Sequence, residues 1–294
     1  MSEEKATLFE QYRKTLEGIA YRMLGSLSEA HDVVQETYIK WHQQESLALE
    51  NPRAWLITVC TRLSLNQLKS ACKQRECYVG EWLPEPFIDD VGNDLDANLE
   101  INESLSIALL HTLEKLTPTE RAVFILHDVF DFKFDEIAKI LNKNPAACRQ
   151  LASRARKRVQ DSRPRFSTSE VEHQRLLQGF IDATNGLDID QLVAILSEDA
   201  ELYSDGGGKV EALPEVMKGG ANIARFFIGI FTGYKKGNVK IAVIPQRFNG
   251  SLGLLIFEDN VLATALSVEC MQDRICRIYA VRNPDKLGFV DISS

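Results

Sequence analysis

Between Lys143 and Arg165 the chain gathers eight basic residues against one acid, Asp161. A local excess of that kind attracts phosphate whatever the charge of the whole molecule. Counting from Pro145, helical spacing puts Arg149, Gln150 and Ser153 on neighbouring faces, because residues three and four apart share a side. Arg149 and Gln150 can each make paired hydrogen bonds with base edges in a major groove, which admits a single α-helix. Arg154, Arg156, Lys157 and Arg158 suit phosphate contacts, which position a protein without reading sequence. Leu151, Ala152, Ala155 and Val159 would then face the domain interior. The plain alternative is a basic, solvated helix end favoured by the helix dipole. Charge density and the turn before the helix favour duplex DNA.

Two further groups of side chains could do chemistry. Asp32 and Glu36 stand four apart with Gln35 between them, opposite a core-seeking stripe of Val34, Tyr38 and Trp41. Such a carboxylate pair could serve acid–base catalysis, hold a metal, dock a protein or simply be solvated. No histidine or third ligand stands at a suitable spacing, so catalysis and metal binding are the weakest of these. The second group is Arg53, Arg62, Asn66 and Lys69, with Trp55 near the start of the same predicted helix. Basic residues beside an aromatic suit melted or single-stranded nucleic acid, where bases stack and phosphates need countercharge. A core position for Trp55 is the competing reading.

The elements that must carry these residues are legible. Predicted helices cover about 7–24, 29–43 with Ser28 as N-cap, and Asn51-Pro52 to about Ser70. After a stretch from 81 to 104 with eight acids and no base, Thr117-Pro118-Thr119-Glu120 signals a new helix start. Short helices over about 119–128 and 134–141, a turn at Asn142-Lys143-Asn144 and a basic helix from Pro145 fit a helix-turn-helix. Beyond Phe166 the texture changes to helices at about 170–185, 188–197 and 220–232. Strand-like runs follow at 239–243, 252–257, 261–268 and 275–281, with turns that include Asn249-Gly250, predicting an α+β domain with an antiparallel meander.

Bulk properties set the outer bounds. The chain has 294 residues, enough for two or three domains, and 45% apolar residues, ordinary for globular protein. Its net charge is −8, but the charge is segregated: +1 over residues 1–75, −9 over 76–104, +5 over 105–166 and −5 over 167–294. The six cysteines lack a Cys-x-x-Cys spacing, so reduced thiols in a cytoplasmic protein are expected, with no metal and no cofactor. No secretory start and no membrane-spanning run is read, and no membrane partner is expected.

Several motifs together resemble one family. Gly18–Gly25, Glu29–Tyr38 and Asn51–Leu56 look like domain two of extracytoplasmic-function sigma factors of the sigma-70 family. Leu116–Val123, Phe134–Leu141 and Cys148–Arg156 look like their domain four. Trp82-Leu83-Pro84-Glu85-Pro86, Asp205-Gly206-Gly207-Gly208-Lys209 and Asn283-Pro284-Asp285-Lys286-Leu287 are similar to the subgroup with a SnoaL-like extension of the nuclear-transport-factor-like fold. The resemblance implies two all-α sigma domains, the second a helix-turn-helix, followed by a cone-shaped α+β domain. The expected boundaries are 1–80, an acidic linker at 81–104, 105–166 and 167–294.

The resemblance also implies roles. Asp32, Gln35 and Glu36 would dock core RNA polymerase. Residues 41–50 and Arg53, Trp55, Arg62, Asn66 and Lys69 would hold the opened −10 promoter element, and Arg149, Gln150 and Ser153 would read the −35 element. The linker would thread toward the polymerase channel, shield the basic helix, or act as a soluble tether. The Asp205 and Asn283 motifs would meet the Trp82 segment, whose tryptophan is expected to be buried, and regulate the factor in cis. A small-molecule ligand in the C-terminal pocket is a further expected partner. Other classes remain open at this stage. One is a helix-turn-helix regulator with a ligand-sensing domain. Another is a SnoaL-like enzyme fused to a DNA-binding module, with His173, Asp188, Tyr203 or Asp205 as candidate acid–base groups.

Overall fold

A computed structural model describes residues 2–44, 51–75, 77–88, 105–162 and 168–288. The expectations for residues 45–50 and for most of the acidic stretch, 89–104, lie outside the described residues. The chain divides into two compact units: Met1–Cys77 with Thr112–Ser162, and Tyr78–His111 with Arg163–Ser294.

The first unit is all helical. Helices α1 (Ser2–Leu24), α2 (Leu27–Gln43) and α3 (Pro52–Arg75) pack around Phe9, Leu16, Ile19, Met23, Trp41 and Leu56, all essentially inaccessible to solvent. Ser26, rather than Ser28, caps α2 by accepting a hydrogen bond from Glu29 N at 3.4 Å, so that helix starts two residues earlier than expected. The buried Trp41 indole still finds a partner: its Nε1 donates to the Lys5 carbonyl at 2.9 Å.

Helix α4 (Ile107–Leu113) carries the chain onward to α5 (Pro118–Phe124). Helix α5 opens on a capping box. The Thr117 hydroxyl accepts from Glu120 N at 3.3 Å, and a Glu120 carboxylate oxygen accepts from Thr117 N at 3.1 Å. A π-helical turn (Ile125–Val129), α6 (Phe134–Leu141) and α7 (Pro145–Ser162) complete the unit. Between α6 and α7 the chain reverses through Asn142, whose φ of +51° suits asparagine, and the Asn144 side chain accepts from Ala147 N at 2.7 Å to start α7.

The second unit is a six-stranded sheet with helices on one face. Its helices are α8 (Glu170–Gly186), α9 (Ile189–Ile195) and α10 (Gly220–Lys236). Its strands are β1 (Leu196–Asp205), β2 (Met217–Lys218), β3 (Ile241–Phe248), β4 (Ser251–Glu258), β5 (Val261–Met271) and β6 (Arg274–Val281). The order is β2-β1-β6-β5-β4-β3, with β1 parallel to β6 and every other pairing antiparallel. The expected meander, β3 to β6, is present. The sheet is nevertheless mixed, because β1 and β2 join it beyond β6. Strand β1 escaped the sequence reading because Ser197–Glu201 is mostly polar and Glu198 and Asp199 are exposed, which hides the alternation.

Alternation along the strands gives this sheet two buried faces. One packs Leu202, Leu254, Leu266 and Ile278 against Phe180 and Phe227 of the helices. The other packs Tyr203, Leu255, Ala265 and Val281 against Leu83, Ile107 and Leu287. The second face is covered by the very segment read as a solvated linker. Leu83 and Pro84 to Pro86 are buried, and Ile88 forms a β-bridge with Phe248. The acids of that segment hid an apolar stripe.

Candidate nucleic-acid interface and linker-binding surface

Helix α7 divides its faces as its sequence demands. Cys148, Ala152, Ala155 and Val159 are buried, while Arg149, Gln150, Ser153, Arg154, Arg156 and Lys157 are exposed. The Arg149 guanidinium lies over the Phe134 ring at 5.8 Å, which steadies it near the start of the helix. Farther along, basic residues already have carboxylate neighbours. Arg154 and Arg158 lie 3.4 and 2.7 Å from Glu120, and Arg156 Nε donates to Asp128 at 2.6 Å. Burial would raise the Glu120 carboxyl, but the Thr117 hydrogen bonds and the two guanidinium groups outweigh it and hold the group below its ordinary value.

Asp32, Gln35 and Glu36 share the exposed face of α2, and Glu36 pairs with Lys40 at 3.2 Å. On α3, Arg53, Arg62, Asn66 and Lys69 are exposed, whereas Trp55 is half-buried with its ring 5.6 Å from that of Trp41. Two of these residues point to the other half of the same unit. Arg62 Nε donates to the Ile140 carbonyl at 2.8 Å and its Nη2 to the Lys139 carbonyl at 3.3 Å, using the free carbonyls at the end of α6. The Arg53 guanidinium lies 5.4 Å from the Phe132 ring. A further tie was not expected: Glu114 bonds Arg121 of α5 and Arg75 of α3, and Arg75 Nη2 also donates to the Leu24 carbonyl at 2.7 Å. Burial would raise the Glu114 carboxyl, yet Arg121 and Arg75 together hold it below the ordinary value.

In the second unit the Trp82, Asp205 and Asn283 motifs converge. Asp205 is fully buried, and its carboxylate accepts from Tyr78 Oη at 2.7 Å, Leu83 N at 2.9 Å, Gly207 N at 3.0 Å and Lys286 Nζ at 2.7 Å. Lys286 also donates to the Leu83 carbonyl at 2.6 Å and lies 4.0 Å above the Trp82 ring. Asn283 Nδ2 donates to Tyr78 Oη at 3.0 Å, and Lys209 Nζ donates to Asp285 at 2.6 Å. Trp82 is half-buried rather than buried, because Lys286 covers one side of it while Leu83 takes the apolar slot.

Of the glycines, Gly207 has the clearest steric reason. Its φ is +63°, and a Cβ there would stand 2.3 Å from Asn283 Nδ2. Pro284 follows Asn283 at the first position of a short 3-10 turn, Pro284–Lys286. Residues that the sequence reading missed complete the seat. The Asn249 side chain accepts from Phe87 N at 2.8 Å and donates to the Leu105 carbonyl at 2.9 Å. The sequence marks Asn249 only as a turn residue, and its φ of +52° bears out that role too.

The acid–base candidates are committed elsewhere. Asp188 caps α9 by accepting from Gln191 N at 3.0 Å, and Tyr203 donates to Glu201 at 2.7 Å. His173 Nε2 bonds with the Leu252 carbonyl at 2.8 Å. Among the described residues there is no cluster suited to a metal ion, and no helix is long and apolar enough to cross a membrane.

Residues 8–74 match the family model for sigma-70 region 2, and residues 106–159 match that for sigma-70 region 4. Two helical regions of this kind, the second a helix-turn-helix, define a sigma-70-type transcription initiation factor. The chain is 33% identical to the ECF RNA polymerase sigma factor SigJ of Mycobacterium tuberculosis, over 95% of this chain and 91% of SigJ. It is 28% identical to the probable ECF sigma factor SigI of the same species, over 94% of this chain and 92% of SigI. The crystal structure of Mycobacterium tuberculosis SigJ matches with a TM-score of 0.78 at 30% identity, covering 96% of this chain and 98% of that one. The chain therefore belongs to the extracytoplasmic-function RNA polymerase sigma factors, and carries a C-terminal domain built on a mixed sheet.

Proposed function

We propose that this sigma factor docks core RNA polymerase through Asp32, Gln35 and Glu36 on α2. It then holds the melted −10 element along α3 with Arg53, Trp55, Arg62, Asn66 and Lys69. It reads the −35 duplex with Arg149, Gln150 and Ser153, while Arg154, Arg156 and Lys157 grip phosphate. The observation that carries the reading is the clean division of α7 into a buried apolar face and an exposed basic one.

Regulation in cis is the second part of the proposal. Asp205, Asn249, Asn283 and Lys286 bind residues 78–88, so the connection between the two sigma regions is held by the C-terminal unit. Arg62 and Arg53, both assigned to melted DNA, are meanwhile occupied by residues of the helix-turn-helix region. Polymerase binding would have to part these contacts before α3 could take DNA. The C-terminal unit acts as a binding and regulatory module rather than an enzyme. In support, Asp188, His173, Tyr203 and Asp205 are each engaged in structural hydrogen bonds. Its cavity, on the face away from residues 78–88, is the seat of a small-molecule ligand.

The test is co-purification with core polymerase at low ionic strength, followed by run-off transcription. A sigma factor binds the core without DNA, and Asp32→Lys with Glu36→Lys should abolish that association. Binding of promoter duplex without any affinity for the core would instead indicate a repressor.

A further inference from the structure

On the helix-covered side of the C-terminal sheet lies a cavity of about 630 Å³, within the range of roughly 300–1,000 Å³ typical of small-molecule sites. Phe226, Phe227, Ile230 and Phe231 of α10 form one wall. The sheet forms the other, where Ser204 on β1 and Thr264 on β5 share the cavity face with Leu202, Ile256 and Ala280. Ser204 and Thr264 are only 6% and 7% exposed. Among the described residues, no group hydrogen-bonds to either hydroxyl, although both line the cavity. Both hydroxyls open onto the cavity, where an apolar lining with a few convergent polar groups fixes the orientation of a bound molecule.

The charged groups of the cavity argue about the ligand's charge. Tyr234 Oη donates to Glu258 Oε1 at 2.6 Å, and Arg282 Nη2 lies 3.4 Å from the same oxygen. Arg282 Nη1 donates to the Glu211 carbonyl at 2.7 Å. The guanidinium is thus already paired, and an entering anion would meet the Glu258 carboxylate. Burial and the Glu258 hydrogen bond push the Tyr234 phenol up to about 12, so it remains a neutral donor. A full charge placed beside Ser204 and Thr264 would have only neutral dipoles to compensate it.

We infer that the cavity binds an uncharged, ring-bearing organic molecule whose carbonyl or hydroxyl group hydrogen-bonds to Ser204 and Thr264. Aromatic and aliphatic walls take the apolar body, and the two hydroxyls set its orientation. The inference rests on the reading of this cavity as a ligand seat and goes on to the ligand's chemistry.

Prodan, a neutral naphthyl ketone whose emission moves to the blue on leaving water, is a suitable probe for the full-length protein. Anilinonaphthalene sulfonate is its anionic counterpart. Prodan should bind saturably with one site per chain and more tightly than the sulfonate. The double variant Ser204→Ala with Thr264→Val keeps the shape and removes two unpartnered hydroxyls, so it should fold at least as well and bind prodan about tenfold more weakly. Ile230→Trp fills the space and should abolish binding, with thermal unfolding checking the fold of each variant. Failure of both dyes to saturate would sink the ligand seat itself. Tighter binding of the sulfonate, or unchanged prodan affinity in the double variant, would leave the seat standing and overturn the ligand class.

Discussion

At the scale of single residues, charge placement separates the side chains proposed to read bases from those proposed to grip phosphate. Arg149 stands in the first turns of α7 and rests on Phe134, so its guanidinium is presented at a fixed height above the helix. Arg149→Ala should therefore cost about 1–3 kcal/mol on the preferred −35 sequence and much less on a scrambled one. Lys157 lies farther along the same helix and is exposed. Lys157→Ala should weaken every promoter alike and lower the salt slope by about one ion. Holoenzyme binding to the two duplexes across a salt series measures both, and equal losses for both variants on both duplexes would reverse the assignment. Asp205 works differently, because it is fully buried and balances the charge of Lys286. Asp205→Asn leaves that ammonium uncompensated and should destabilise the C-terminal unit by about 3–5 kcal/mol in urea unfolding. Adding Lys286→Met should restore part of the loss, since the two sites are coupled.

At the scale of elements, Glu114 gives the helical unit a pH dependence whose sign can be worked out. Its carboxyl titrates below the ordinary value of 4.5 because Arg121 and Arg75 favour the charged form. A depressed folded-state value means the stabilisation is complete above the ordinary carboxylate range and is lost as pH falls through the folded value. Glu114→Gln should lower unfolding stability near neutral pH by on the order of 3 kcal/mol, and the gap from the native protein should close as pH falls below the ordinary carboxylate value. A gap that stayed constant over that range would assign the loss to packing. The helices themselves were largely legible, because caps such as Thr117 and periodic apolar residues are local signals that tertiary packing did not override. The basic face of α7 was legible for the same reason. What escaped was non-local. Glu114 is one acid in a turn until Arg75 and Arg121 meet it, and Asn249 is a turn residue until Phe87 and Leu105 find its amide. The burial of Leu83 to Pro86 was masked by flanking acids, since charge counted along a segment says nothing of the face each residue presents.

At the scale of the whole molecule, the positive and apolar surfaces are handled by different units, and this makes the regulatory reading testable by dissection. The side chains proposed to read and grip the −35 duplex all lie on α7 in the helical unit. The seat for residues 78–88 lies entirely in the C-terminal unit, which supplies Asp205, Asn249, Asn283 and Lys286. A chain ending after Phe166 keeps every reading residue but strips the cover from Leu83 and Ile107. Their exposed apolar surface then has to find a new environment, in solvent or on the polymerase. Run-off transcription with purified core polymerase should therefore give a different output for the shortened chain, while the ranking among promoters of differing −35 sequence stays the same. Unchanged output would remove the regulatory role, and a changed ranking would mean that the C-terminal unit takes part in reading DNA. The full-length Asp205→Asn variant separates the latch from the mere bulk of the domain. If release of residues 78–88 is what matters, its output should move in the same direction as the truncation, because both changes abolish the buried carboxylate that holds Leu83 N and Tyr78 Oη.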